Sequence, residues 1–258
     1  MIGAIAGDII GSVYEFDNFK PEIDFPLFKE TSEFTDDTVL TTALADSLLT
    51  GIDYKIKIKE YARLYSNCSY GSSFARWAFG SNNKPYNSWG NGSAMRVSPV
   101  GWAFNDIETV LLKAKESAEI THNHPEGIKG AQATALAIYL SRQNKTKDEI
   151  KSEIEKIFGY NLDLDLEGLR MNYRFNESCQ GTVPQAIYTF LISVDFEDSI
   201  RKAIYIGCDS DTLACINGSI AEAFYKGVPE EIKKMVFKKL DALLTRVVEE
   251  FTDKFINY

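Results

Sequence analysis

Two short runs in the sequence combine carboxylates and hydroxyls within a single helical turn: Thr35-Asp36-Asp37-Thr38 and Asp209-Ser210-Asp211-Thr212. Oxygen-only ligand sets of this kind suit hard divalent cations such as magnesium or manganese. Two such corners brought together could hold a pair of ions about 4 Å apart, as in two-metal hydrolases. Each run also begins a helical pattern, and Ser, Thr and Asp are ordinary N-caps whose charge suits the helix dipole. Spacing alone leaves both readings open, because it does not show that the two runs meet. His122 and His124 are the only histidines, and with no cysteine nearby they make a poor zinc site. Cys68, Cys179, Cys208 and Cys215 form no C-x-x-C pair and read as free thiols in a reducing compartment.

The elements that must position these runs are helical. Residues 36–50 place Val39, Leu40, Ala43, Leu44 and Leu48 on one stripe, with Gly51 as a stop. Residues 106–120 repeat the pattern through Ile107, Val110, Leu111, Ala114 and Ala118 behind an Asp106 cap. Pro125 opens a helix over 125–141 with Ala131, Ala135, Ile138 and Tyr139 inward. Thr146 and Glu149 form a capping box for a helix to about Phe158. Thr182 with Pro184, then Asp195, then Asp209 begin three more helices, and Pro229 opens one that runs with a break towards the C-terminus. The best strand candidate is the short LDLDL of 162–166. Gly3, Gly7 and Gly11 recur every four residues in the first helix, a row that invites close approach by a neighbouring backbone. Residues 67–93 resist a helical reading: they are rich in Gly, Asn, Ser and aromatics, a composition suited to a nucleotide-like ligand or to plain turn chemistry.

The formal charge of −9 over 258 residues argues against a general nucleic-acid binder, which would present basic stripes. No apolar run reaches the roughly 18–20 residues of a membrane span, and Asp8 interrupts the apolar N-terminal segment, which lacks a basic leader. The expectation is one cytoplasmic, monomeric, all-α domain over residues 1–258.

The blocks GAIAGDIIGSVYEF (3–16), FTDDTVLTTALADSLL (34–49), GNGSAMRVSPVGW (90–102), THNHPEGIKGAQATA (121–135) and GCDSDTLACINGSIAEAFY (207–225) occur in the order found in the ADP-ribosylglycohydrolase family, which the chain resembles nearly end to end. That family includes the hydrolase that reactivates dinitrogenase reductase and the ADP-ribosylarginine and ADP-ribosylserine hydrolases. The resemblance implies a single compact multi-helix domain with a central metal cleft and two magnesium ions, manganese being the alternative. By the same resemblance, Thr35, Asp36, Asp37, Asp209, Asp211 and Thr212 ligate metal. Ser88, Trp89, Asn91, Gly92, Ser93 and His122 line the ADP-ribose cleft. Glu15, Asp36 and Asp211 are the expected catalytic carboxylates, Glu15 falling where the family has an acidic gate or base. Asp8 matches a family position as well, and reads either as a direct participant or as a buried polar group satisfied within the bundle.

The implied reaction is hydrolysis of an N- or O-glycosidic bond between ADP-ribose and a modified protein side chain or small adduct, releasing ADP-ribose. Its oxocarbenium-like transition state needs an oriented ribose and a water delivered to one face. Neutral Asn and Ser side chains and backbone N–H groups near Asn91 and Gly92 are expected to receive the diphosphate. A non-catalytic ADP-ribose or nucleotide binder is the rival reading, opposed by the presence of every implied ligand. The chain departs from the family pattern at Cys208, where glycine is common, at Asn217, where a small residue is usual, and at an extra Lys226.

Overall fold

The computed structural model describes residues 1–15 and 19–256, so Phe16 of the first family block lies outside the described residues. Among these, fifteen helices account for the regular structure: α1 (Ile2–Gly11), α2 (Asp36–Thr50), α3 (Tyr54–Leu64), α4 (Ser72–Phe79), α5 (Gly92–Met95), α6 (Ser98–Ala103), α7 (Ile107–Glu119), α8 (Pro125–Arg142), α9 (Lys147–Phe158), α10 (Leu166–Asn172), α11 (Cys179–Leu191), α12 (Phe196–Tyr205), α13 (Ser210–Phe224), α14 (Glu230–Lys239) and α15 (Ala242–Phe255). The fold is all-α.

Its axis is the antiparallel pair α1 and α13. Every residue of α1 is buried, as is every residue of α13 up to Ala223. The glycine row explains the pairing. A Cβ on Gly7 would stand 1.9 Å from the Ala214 carbonyl oxygen, and one on Gly3 would stand 2.2 Å from that of Gly218. Only hydrogen fits between the two backbones. Near the other end Gly11 lies against Asp211, and the Ser210 hydroxyl donates to the Gly11 carbonyl at 2.9 Å. The end of α1 and the start of α13 are therefore locked together.

Local sequence signals set most helix ends. Thr35 caps α2 and Gly51 ends it in the left-handed region at φ 72°. Asp106 caps α7, Thr146 and Glu149 form the capping box of α9, and Asp195 caps α12. The expected break after Pro229 falls at Leu240, where Asp241 caps α15 by accepting from Leu244 N–H at 2.9 Å.

Five expectations are corrected. The LDLDL run forms no strand; its N–H groups bond side chains instead, Leu162 to Glu155 at 2.9 Å and Asp163 to Asn161 at 3.0 Å, and Asp165 caps α10. Helix α11 begins at Cys179 behind a Ser178 cap, leaving Pro184 inside it. Residues 67–93 contain α4, whose Phe74 and Trp77 enter the core. The stripe of α7 is narrower than expected, with Ile107 at its exposed start, and Tyr139 of α8 is half-buried with its hydroxyl donating to the Asn105 carbonyl at 3.2 Å. The sequence pattern also gave no notice of α3, whose KIKIK run alternates but is capped into a helix by Asp53. All four cysteines are free, and no described helix is long and apolar enough to cross a membrane.

Candidate metal and substrate site

The site lies where α1 ends and where α2 and α13 begin. Asp8, one turn before the end of α1, is wholly buried and fixes the start of α2. Its carboxylate accepts from Thr35 N–H at 2.9 Å, Thr35 Oγ1 at 2.7 Å and Thr38 N–H at 3.1 Å, and also from the Thr38 hydroxyl. Of the two readings of Asp8, the geometry gives it a full set of protein partners. It is an anchor. Through it, the first turn of α2 is held against α1, which is itself held against α13.

The two acidic runs converge as a result. Thr212 Oγ1 lies 3.4 Å from Asp37 Oδ2. Glu15, just past α1, brings a carboxylate oxygen close to Asp209 and Asp211, all three within 4.8 Å of one another. Asp211 accepts from the Thr212 N–H at 2.8 Å, so the opening turn of α13 stabilises its own carboxylate. Asp37 keeps Oδ1 buried with no hydrogen-bond partner. Among the described residues, no lysine or arginine forms an ion pair with Asp8, Glu15, Asp36, Asp37, Asp209 or Asp211.

Electrostatics follow from that arrangement. Burial, with the neighbouring Asp211 charge second, pushes Asp8 up to about 7 and Glu15 up to about 8. The same two causes hold Asp36, Asp37 and Asp209 well above the ordinary carboxylate range, and burial raises Asp211. A buried nest of acids with one orphaned oxygen and no protein cation fits divalent metal: hard oxygen donors, excess negative charge and an unfilled coordination direction at Asp37.

Beside this nest runs the turn 88–93. Cys179 N–H donates to the Trp89 carbonyl at 2.9 Å and Asn91 N–H to the Glu177 carbonyl at 2.7 Å, which pins the turn to the start of α11. The Asn91 side chain faces the acids, its amide donating to Asp209 Oδ2 and, at 3.0 Å, to Thr182 Oγ1. This corrects the expectation that Asn91 offers its amide to a diphosphate: a buried carboxylate claims it. Ser93 is likewise committed, donating to the Gly127 carbonyl at 2.7 Å. Ser88 Oγ accepts from Gly90 N–H at 3.1 Å. Trp89 is exposed and stands edge-on to His124, with ring centroids 5.6 Å apart. His122 is buried, its ring against the Gly90–Gly92 backbone.

Thr38, Thr182 and Glu177 join the site although none of them is among the site residues expected from the sequence. Thr38 sat inside the first acidic run, where its position in the opening turn of α2 was a usable signal. Thr182 and the Glu177 carbonyl come from a separate segment, and nothing local marks them.

The sequence profile described as ADP-ribosylglycohydrolase matches residues 1–257. The chain belongs to the ADP-ribosylglycohydrolase family. Within that glycohydrolase family it is 28% identical to ADP-ribosylhydrolase ARH3 of Mus musculus, over 97% of this chain and 91% of that protein. It is 23% identical to ADP-ribosylarginine hydrolase Tri1 of Pseudomonas putida (strain GB-1), over 90% of this chain and 71% of that one. A solved structure titled as an ADP-ribosylglycohydrolase-related protein complex superposes with a TM-score of 0.68 at 24% identity, covering 95% of each chain, and so shares the glycohydrolase fold.

Proposed function

We propose that this protein is a metal-dependent hydrolase that cleaves the glycosidic bond between ADP-ribose and a modified acceptor, a protein side chain or a small adduct, and releases ADP-ribose. One observation carries the proposal: acidic residues from the two ends of the chain gather in a single buried nest without a protein cation, beside a glycine-rich turn. Thr35, Asp36, Asp37, Asp209, Asp211 and Thr212 are the residues that would hold two magnesium or manganese ions. Once bound, such ions neutralise the carboxylates and supply Lewis acidity at the bond being cut.

The chain's own side chains do the rest. Glu15 stands at the edge of the nest, half-buried, and takes the proton from the attacking water as the anomeric carbon gains positive character. Asn91 steadies Asp209, and Asp8 holds the Thr35–Thr38 turn, so the ligand set is rigid before substrate arrives. Ser88, Trp89 and Gly92 of the turn, with His122 packed behind it, are the residues that would contact the ADP-ribose portion. The proposed enzyme acts as a monomer in the cytoplasm, a compartment that keeps thiols free.

The test is a turnover panel with arginine-, serine- and nucleic-acid-linked ADP-ribose in each metal, with Asp36→Asn as the paired variant. Release of ADP-ribose by the wild type, with turnover lost and ADP-ribose binding kept in Asp36→Asn, supports hydrolysis. A wild type that binds ADP-ribose but turns over none of the panel is a binder, and the proposal falls.

A further inference from the structure

We propose that Arg96, acting through the Thr121 hydroxyl, holds His122 as the neutral tautomer whose Nε2–H donates into the Gly90–Gly92 turn, towards an oxygen of the ADP-ribose diphosphate. The ligand half of this inference rests on the function proposed above; the tautomer half does not.

Arg96 is fully buried and has no carboxylate partner among the described residues. Its Nη2 donates to the Ser117 carbonyl at 3.0 Å and to Thr121 Oγ1 at 2.8 Å, while Nε and Nη1 are buried without partners. Burial lowers its pKa only to about 10, so the guanidinium remains charged at neutral pH. Thr121 Oγ1 stands 2.7 Å from His122 Nδ1. A guanidinium only donates, so the threonine oxygen accepts from Arg96. The single hydroxyl hydrogen then goes to Nδ1, which must be the unprotonated ring nitrogen. The opposite tautomer has Nδ1–H pointing at Thr121 and leaves the buried hydroxyl hydrogen with no acceptor, an arrangement proteins avoid.

With Nδ1 accepting, the ring hydrogen sits on Nε2. That atom faces the turn: a Cβ on Gly92 would come within 3.2 Å of it and one on Gly90 within 3.5 Å. Any residue larger than glycine at 92 would crowd the donor. Protonating Nδ1 as well would remove the acceptor Thr121 uses and set a second positive charge beside Arg96. Burial and the Arg96 charge accordingly hold the His122 pKa well below its ordinary value. Thr121 also pins the loop itself, its carbonyl accepting from Tyr86 N–H at 3.3 Å and Ser88 N–H at 3.5 Å. Arg96 and Thr121 are thus positioning residues, and His122 is the group that touches ligand.

The experiment records two-bond nitrogen–proton correlations of the imidazole rings in uniformly 15N-labelled protein. With two histidines in the chain, a His124→Asn variant assigns the signals. The wild type is expected to show the Nε2–H pattern for His122, unchanged between about pH 5 and 8. Thr121→Val is expected to lose that fixed pattern and bind ADP-ribose about tenfold more weakly, about 1.4 kcal/mol, while Thr121→Ser restores both. An Nδ1–H pattern in the wild type, or an unchanged tautomer in folded Thr121→Val, overturns the lock. The spectra need no ligand. A wild type with the expected tautomer and no ADP-ribose affinity would leave the lock standing and overturn its assignment to that ligand, together with the proposed function.

Discussion

Thr212 Oγ1 and Asp37 Oδ2 stand 3.4 Å apart across 175 positions of sequence. That closure is the product of two contacts in series: α13 against the glycine face of α1, and Asp8 of α1 against the first turn of α2. Loosening either of them is expected to open the acidic nest.

Metal binding is expected to stabilise the protein by relieving repulsion in the nest. At a concentration about 100 times its dissociation constant, one bound ion contributes about 2.7 kcal/mol, a rise of a few degrees in melting temperature for a chain this long. Thermal melts with magnesium or manganese are expected to show the rise in the wild type and none in Asp209→Ala. A wild type insensitive to both metals would overturn the proposed metal site.

The pH dependence of the metal-free protein has a definite sign. Glu15 and Asp8 titrate near 8 and 7 when folded, against about 4 for ordinary carboxylates. Between about pH 4 and 8 the folded state therefore binds more protons than the unfolded chain, and stability falls as pH rises through that window. Melts in chelator are expected to show a lower melting temperature at pH 8 than at pH 6. Saturating magnesium is expected to remove or reverse the slope, since metal binding displaces those protons.

Gly7→Ala is expected to be among the most damaging single substitutions. Its Cβ would sit 1.9 Å from the Ala214 oxygen and 2.2 Å from the carbonyl carbon, both of them backbone atoms that cannot rotate away. We expect a loss of at least about 3 kcal/mol, read by denaturant unfolding, or failure to accumulate as folded protein. Gly51→Ala is the control: it has a positive φ but open space around it, and is expected to cost only about 1 kcal/mol.

Thr38→Val separates the anchor from the ligands. It removes one donor to Asp8 without deleting any carboxylate proposed to bind metal. An Asp8 oxygen losing a buried donor is expected to cost about 1–2 kcal/mol of stability. Calorimetric titration is expected to find magnesium affinity several-fold weaker, because the start of α2 is held less firmly. Unchanged affinity alongside reduced stability would confine Asp8 to a packing role.

Helix type and most helix ends were legible in the sequence because they depend on neighbours a few residues away. Gly51, Asp106, Asp195 and the Thr146–Glu149 box act within one turn of themselves, so a linear string carries their meaning. The LDLDL run misled, and the KIKIK run gave no helical signal, for the complementary reason. Alternation makes a strand only when a neighbouring strand accepts its backbone bonds, and here side-chain caps satisfied the chain locally.

By itself the sequence determined the all-helical class, the family blocks and the row of glycines that forecast a close backbone pair. Which donors serve which acceptors was decided only by the tertiary structure. Asn91 turns inward to Asp209, and Arg96 reaches Thr121 behind His122, because each buried polar group must take whatever partner packing leaves within about 3 Å. Those partners come from remote segments, so their distances are properties of the assembled helices and not of any stretch of chain.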